Sequence, residues 1–238
     1  KLIRDYDNLD EDRKKRYKNC YISSLFGYAT FNLNPISKYY WSCYYNNKMG
    51  NFENVYQYIP TPYGQSQRDI LGKIGMCAKY LGRICDLVQG EKIYTLKRPT
   101  YFEIQYRLAQ LKLVMGIVYA LKGKDAEKQE TFFKDAFEIS NAALLYAKEK
   151  KKRGTWKGNY PHYIKSVKAK ALYFLGENEE CHECFYNAAD YMLYEQGQIY
   201  ALCNDFENAI AVLKKIKPNN ICCAKAQNLI EELKIREA

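Results

Sequence analysis

Apolar residues recur at three- and four-residue spacing along most of the chain, the period of one buried face of an α-helix. In 107–121, Leu108, Leu111, Met115, Val118 and the neighbouring Tyr119 fall on one stripe, Gly123 stops the segment, and Asp125 is placed to cap the next. Prolines interrupt the pattern only at 35, 60, 62, 99, 161 and 218. The spacing predicts helices near 10–32, 36–48, 52–58, 66–89, 101–122, 125–152, 160–175, 178–189, 191–203, 205–216 and 220–236. Only Lys92-Ile93-Tyr94-Thr95-Leu96 has an extended character, and it reads equally as a loop. Short connections turn successive helices back on one another, so the expected fold is all-α, a row of antiparallel helical hairpins.

Composition agrees with a packed core. Over 238 residues, 47 % are hydrophobic and 27 % charged, ordinary globular usage and far from the polar bias of disorder. The reading is one helical domain over 1–238, with a subdivision near 90–100 left open. No run of about 18 apolar residues is present, and the first residues lack both an apolar signal core and a starting Met. The chain therefore reads as a trimmed, soluble protein, with a removed leading segment left open. Its nine cysteines are odd in number and irregularly spaced within helical segments, which points to a reducing, cytoplasmic setting.

Two predicted turns are alike: Gly50-Asn51-Phe52-Glu53-Asn54-Val55 and Asn204-Asp205-Phe206-Glu207-Asn208-Ala209. Around the second, 193–216 resembles a tetratricopeptide repeat. Gly197 and Tyr200 match the glycine and tyrosine of its first helix, Asn204 and Phe206 the turn and the aromatic after it, and Ala209, Leu213 and Ile216 the small and apolar positions of its second helix. Pro218 comes three residues earlier than the motif places it. Looser matches run through Ala169, Leu172, Gly176, Cys181, Phe185 and Ala188, begin again at Gly116, Tyr119 and Gly123, and keep Gly50, Phe52, Val55 and Ile59 near the N-terminus, where Cys43 replaces the first-helix glycine. About 28 residues separate Ala169 from Gly197, against about 34 in a regular array. The resemblance implies an irregular, tetratricopeptide-like stack, with another kind of helical bundle as the alternative.

Catalytic material is scarce. Cys181-His182-Glu183-Cys184 carries a C-x-x-C pair, but a closed zinc site needs two more ligands at matching spacing, and Cys181 falls at a packing position of the repeat. With only His162 and His182 in the chain, triads and metalloprotease motifs lack their parts. Gly72, Gly75 and Gly82 follow no strand, and read as close helix contacts rather than as a phosphate loop. The expectation is a protein that is not an enzyme and holds neither cofactor nor metal.

Two residue classes bear on partners. The formal charge is +10, partly clustered at Arg13-Lys14-Lys15-Arg16 with Lys18 and at Lys148, Lys150-Lys151-Lys152-Arg153 and Lys157, runs that read as solvated helix faces or ends. Tyrosine reaches 24 copies, which suits a binding surface, half-buried helix seams or simple compositional bias. In tetratricopeptide proteins the first helices line a concave groove for peptides or protein elements. The resemblance places Tyr40, Tyr44 and Lys48 there, then Tyr163, Lys170 and Tyr173, then Tyr191, Tyr194 and Gln198. It implies a scaffold or adaptor for a protein or peptide partner with acidic or aromatic residues. Nucleic-acid binding through the basic runs and stacked tyrosines is one alternative, and a helical inhibitor or immunity-type protein is another.

Overall fold

The computed structural model describes residues 2–50, 59–88, 99–123, 125–153, 160–185 and 190–237. Among them the fold is all-α, with no strand. The helices are α1 (Leu2–Asp5), α2 (Glu11–Lys48), α3 (Gln67–Val88), α4 (Tyr101–Lys122), α5 (Ala126–Lys152), α6 (Tyr160–Leu175), α7 (Asn178–Glu183), α8 (Asp190–Leu202), α9 (Phe206–Leu213) and α10 (Cys223–Glu237). The expected helix at 52–58 and the extended segment at 92–96 lie outside the described residues.

The largest departure from the expected boundaries is in α2, while the helix expected at 178–189 ends at Glu183 and the one expected at 205–216 ends at Leu213. The two segments read at 10–32 and 36–48 form the single helix α2, which starts where the Asp10 carboxylate accepts from the Arg13 amide at 2.8 Å and runs through Pro35. Proline removes one backbone donor and crowds the carbonyl of residue 31. Phe31 is 64 % exposed, so water can take up that carbonyl and the helix survives. Its first turns are solvated, while 39–45 are buried on almost every side.

The rest of the chain builds hairpins from shared local chemistry. Thr100 and Glu103 close a capping box at the start of α4, the Thr100 amide donating to Glu103 Oε2 at 2.7 Å. Helices α4, α6 and α8 each end on a left-handed residue, Gly123, Gly176 and Asn204, and in each the amide of that residue bonds the carbonyl three positions back. Asp125 and Asp205 then cap α5 and α9 through the Lys128 and Asn208 amides. The chain thus folds back at each of these turns: α4 packs on α5, α6 on α7, and α8 on α9.

Packing explains two glycines. A Cβ on Gly116 would lie 2.4 Å from the ring of Phe133, and one on Gly197 would lie 2.6 Å from Leu213 Cγ. In both hairpins a large side chain of the second helix fills the space left by a first-helix glycine, which lets the two backbones approach closely. Gly72, Gly75 and Gly82 behave otherwise: a Cβ at any of them meets nothing within 4 Å, so the expected close contacts are absent at those positions. Helix α4 is buried nearly all round, from Ile104 and Ala109 to Val114 and Ile117, because it packs against α2, α3, α5 and α6.

The main core runs from Tyr6 to Ile199 and includes residues on both sides of 89–98. A second cluster joins Ala209, Leu213, Ala226, Leu229 and Leu233 at the C-terminal end, and Tyr45 of α2 and Met49, which caps that helix, belong to it. Arg236 Nη2 donates to the Met49 carbonyl at 2.7 Å. Helix α2 therefore crosses the molecule and ties the central hairpins to the last one.

Candidate functional site

Alternate helices line one cleft. Its walls come from α4, α6, α8 and α10 on one side and from α2 on the other, and α5, α7 and α9 contribute nothing. A row of antiparallel hairpins has this consequence, since the first helix of each faces the same way. The cleft encloses about 1050 Å³. A depression of about 660 Å³ over Arg68, Asp69, Lys73 and Met76 draws on one helix and its leading turn, so it brings no groups together from different parts of the fold.

Three polar clusters pave the cleft. Near the middle, Trp41 Nε1 donates to Gln198 Oε1 at 2.9 Å, and Lys170 Nζ sits 4.7 Å from the Trp41 ring centroid. Lys170, 7 % exposed, also pairs with Glu195 Oε1 at 2.7 Å, while the Ser166 hydroxyl donates to the other oxygen of that carboxylate. At one end the buried Arg107 gives Nη1 to Asn34 Oδ1 at 2.5 Å and to Gln110 Oε1 at 2.7 Å, with its guanidinium 4.6 Å from the Tyr106 ring. At the other end stand Tyr45, Tyr194, Lys225 and Glu232.

The phenols are held protonated. Burial pushes the Tyr45 hydroxyl well above its ordinary value, and the nearby Glu232 and Tyr194 push the same way. Burial likewise raises Tyr106, against the lowering effect of Arg107. These groups are neutral hydrogen-bonding surfaces at physiological pH. The Tyr45 hydroxyl and Thr30 Oγ1 are buried in the cleft lining without a hydrogen-bond partner. Buried polar atoms ordinarily find partners, so these two stand as unsatisfied groups sealed behind the cleft surface.

Four of the nine groove residues read from the sequence do converge on the cleft: Tyr163, Lys170, Tyr194 and Gln198. Tyr40, Tyr44, Lys48 and Tyr173 do not line it. Tyr40 and Tyr44 are 3 % and 6 % exposed, and Tyr44 packs at 4.6 Å on Phe174 with its hydroxyl 3.5 Å from that of Tyr173. Lys48 lies over the Tyr44 ring at 5.9 Å. The side chain of Tyr191 lies outside the described residues.

The correction on α2 is one of register. Within 34–45 the stripe facing the cleft is Asn34, Lys38, Trp41 and Tyr45, and a shift of one residue turns a helix by about 100°. The signal was present in the sequence as polar and aromatic residues at spacings of four, three and four, but 39–45 carries aromatics on every face. Arg107 and Gln110 were also missed. Both are buried polar residues within an apolar helix, which is the more informative kind of exception.

Among the described residues, the basic runs set aside in the sequence stay apart from the cleft. Arg13 and Lys14 pair with Asp10 and Glu11, and Lys152 pairs with Glu149 at the end of α5. All nine cysteines are free, and burial pushes the Cys181 thiol up to about 12. Among the described residues no group of three or more His, Cys, Asp or Glu could hold a metal ion, and no helix is long and apolar enough to cross a membrane. In comparisons with protein-family models, curated proteins and solved structures, nothing matches the chain.

Proposed function

We propose that this chain is a non-catalytic peptide- or protein-binding module built on irregular helical repeats of the tetratricopeptide kind, with the cleft between α2 and the first helices of the hairpins as its binding site. The observation that carries the reading is the alternation itself: α4, α6, α8 and α10 line the cleft while the helices between them turn away. The glycine crossings at Phe133 and Leu213 and the matching left-handed turns support a repeated unit. Half-exposed Tyr163 and partly exposed Tyr106 and Tyr194 offer rigid contact area at small entropic cost.

The polar paving favours recognition over turnover. Glu195, the carboxylate that accepts from Ser166, is also held by Lys170, and the phenols stay protonated. Titration of a randomised peptide pool tests the reading, with Trp41 fluorescence as the reporter in a Trp156→Phe background, since Trp41 and Trp156 are the two tryptophans. Binding is expected to perturb Trp41 emission. Tyr163→Ala or Tyr194→Ala should weaken binding by about 1–3 kcal/mol, as loss of an aromatic anchor does. Peptide binding that neither substitution touches would move the site elsewhere.

A further inference from the structure

The charge left over in the cleft identifies what it takes. Four cations, Lys38, Arg107, Lys170 and Lys225, and three carboxylates, Glu103, Glu195 and Glu232, line it. The carboxylates are committed: Glu103 to the Thr100 capping box, Glu195 to Lys170 and Ser166, and Glu232 to Arg236. Lys38 on α2 and Lys225 on α10 are exposed, and neither makes a hydrogen bond or ion pair with any described residue. They stand on walls contributed by different parts of the chain.

A remaining apolar group fits the same occupant. Ile221 lines the mouth of the cleft at 92 % exposure, an apolar side chain that the fold does not use. From Phe26 to Asn46 the cleft follows α2 for about 30 Å, at about 1.5 Å of rise per residue. About nine extended peptide residues, at roughly 3.3 Å each, cover that length.

Resting on the peptide-binding reading above, we propose that the occupant is an extended internal peptide segment bearing two acidic side chains, set to meet Lys38 and Lys225, and an apolar or aromatic residue against Ile221. Exposed charge pairs add modest affinity, but they steer encounter and reject the wrong sign. Selectivity for acidic segments therefore fades with added salt, while the aromatic contacts persist.

The test uses three pools of end-capped peptides about eleven residues long, enough to overhang the cleft. They share one randomly placed aromatic and differ only in carrying two Glu, two Gln or two Lys. Binding is read by Trp41 fluorescence in the Trp156→Phe protein, and again in a Lys38→Glu/Lys225→Glu variant whose fold is checked by circular dichroism. The Glu pool should bind roughly three- to tenfold tighter than the Gln pool at low salt, and the variant should reverse the preference toward the Lys pool. Equal binding of all three pools, or a preference unchanged in the variant, overturns the acidic assignment and leaves the peptide-binding reading in place. Absence of binding by every pool overturns both.

Discussion

Trp41 Nε1 donates to Gln198 Oε1 at 2.9 Å across 157 residues of chain, and this bond fastens the N-terminal helix α2 to the last clear hairpin inside the cleft. Both side chains are nearly buried, at 5 % and 6 % exposure, so the bond is sheltered from water. Trp41→Phe keeps most of the ring and removes the donor, leaving the Gln198 carbonyl without it. The substitution should cost about 1–3 kcal/mol, the range for an orphaned buried polar group, as measured by urea unfolding.

Glycine substitutions separate crossing points from open faces. Gly116→Ala and Gly197→Ala place a Cβ 2.4 Å from Phe133 and 2.6 Å from Leu213 Cγ, against side chains that are 0 % and 1 % exposed and have little room to yield. Each should destabilise by about 1–3 kcal/mol. Gly75→Ala and Gly82→Ala, in α3 with nothing within 4 Å, should instead stabilise by about 0.5–1 kcal/mol through helix propensity. Thermal unfolding of the four variants checks the contrast in sign.

What was legible in the sequence follows from where the chemistry is local. The turns at Gly123, Gly176 and Asn204 carry residues suited to left-handed backbone, and the cap at Asp125 and the first-helix glycines at 116 and 197 follow the same local logic. The register of α2 was not legible. Pro35 reads as a break, yet an exposed carbonyl makes it tolerable within a helix, and 39–45 is enclosed by α6, α8 and the C-terminal cluster rather than lying on one face. The tyrosine stripe one residue away from the cleft-facing one is therefore equally helical. Arg107 lies beyond any local pattern too, because its partner Asn34 comes from 73 residues earlier.

Two lysines of the cleft should differ in what their loss costs the fold. Lys170→Ala removes one partner of a pair in which the lysine side chain is 8 % exposed and the glutamate 29 %, leaving Glu195 with Ser166 alone. The expected cost is about 3 kcal/mol. Lys38→Ala, at an exposed position without an ion pair, should change stability by less than about 0.5 kcal/mol. Parallel chemical unfolding of the two variants measures the difference.

His182 gives the fold an acid sensitivity. Its ring stacks on Tyr200 at 3.9 Å, and burial lowers its pKa below the ordinary 6.5, against a smaller raising effect from Asp205. The unfolded chain therefore binds the proton more readily than the folded one. The resulting stability is fully present above about pH 6.5 and is lost as pH falls below it toward the folded-state value. Urea unfolding across this window should show a shallower pH dependence in His182→Gln than in the parent protein.

Hydrogen–deuterium exchange with and without the Glu-bearing peptide pool tests the central claim most directly. The account predicts slowed exchange in the cleft-lining stretches of α2, α6 and α8, around Asn34–Asn46, Tyr163–Lys170 and Tyr194–Gln198, with α5 and α9 unchanged. Slowed exchange confined to the basic runs at Arg13–Lys18 and Lys148–Arg153, with the cleft unaffected, would contradict it.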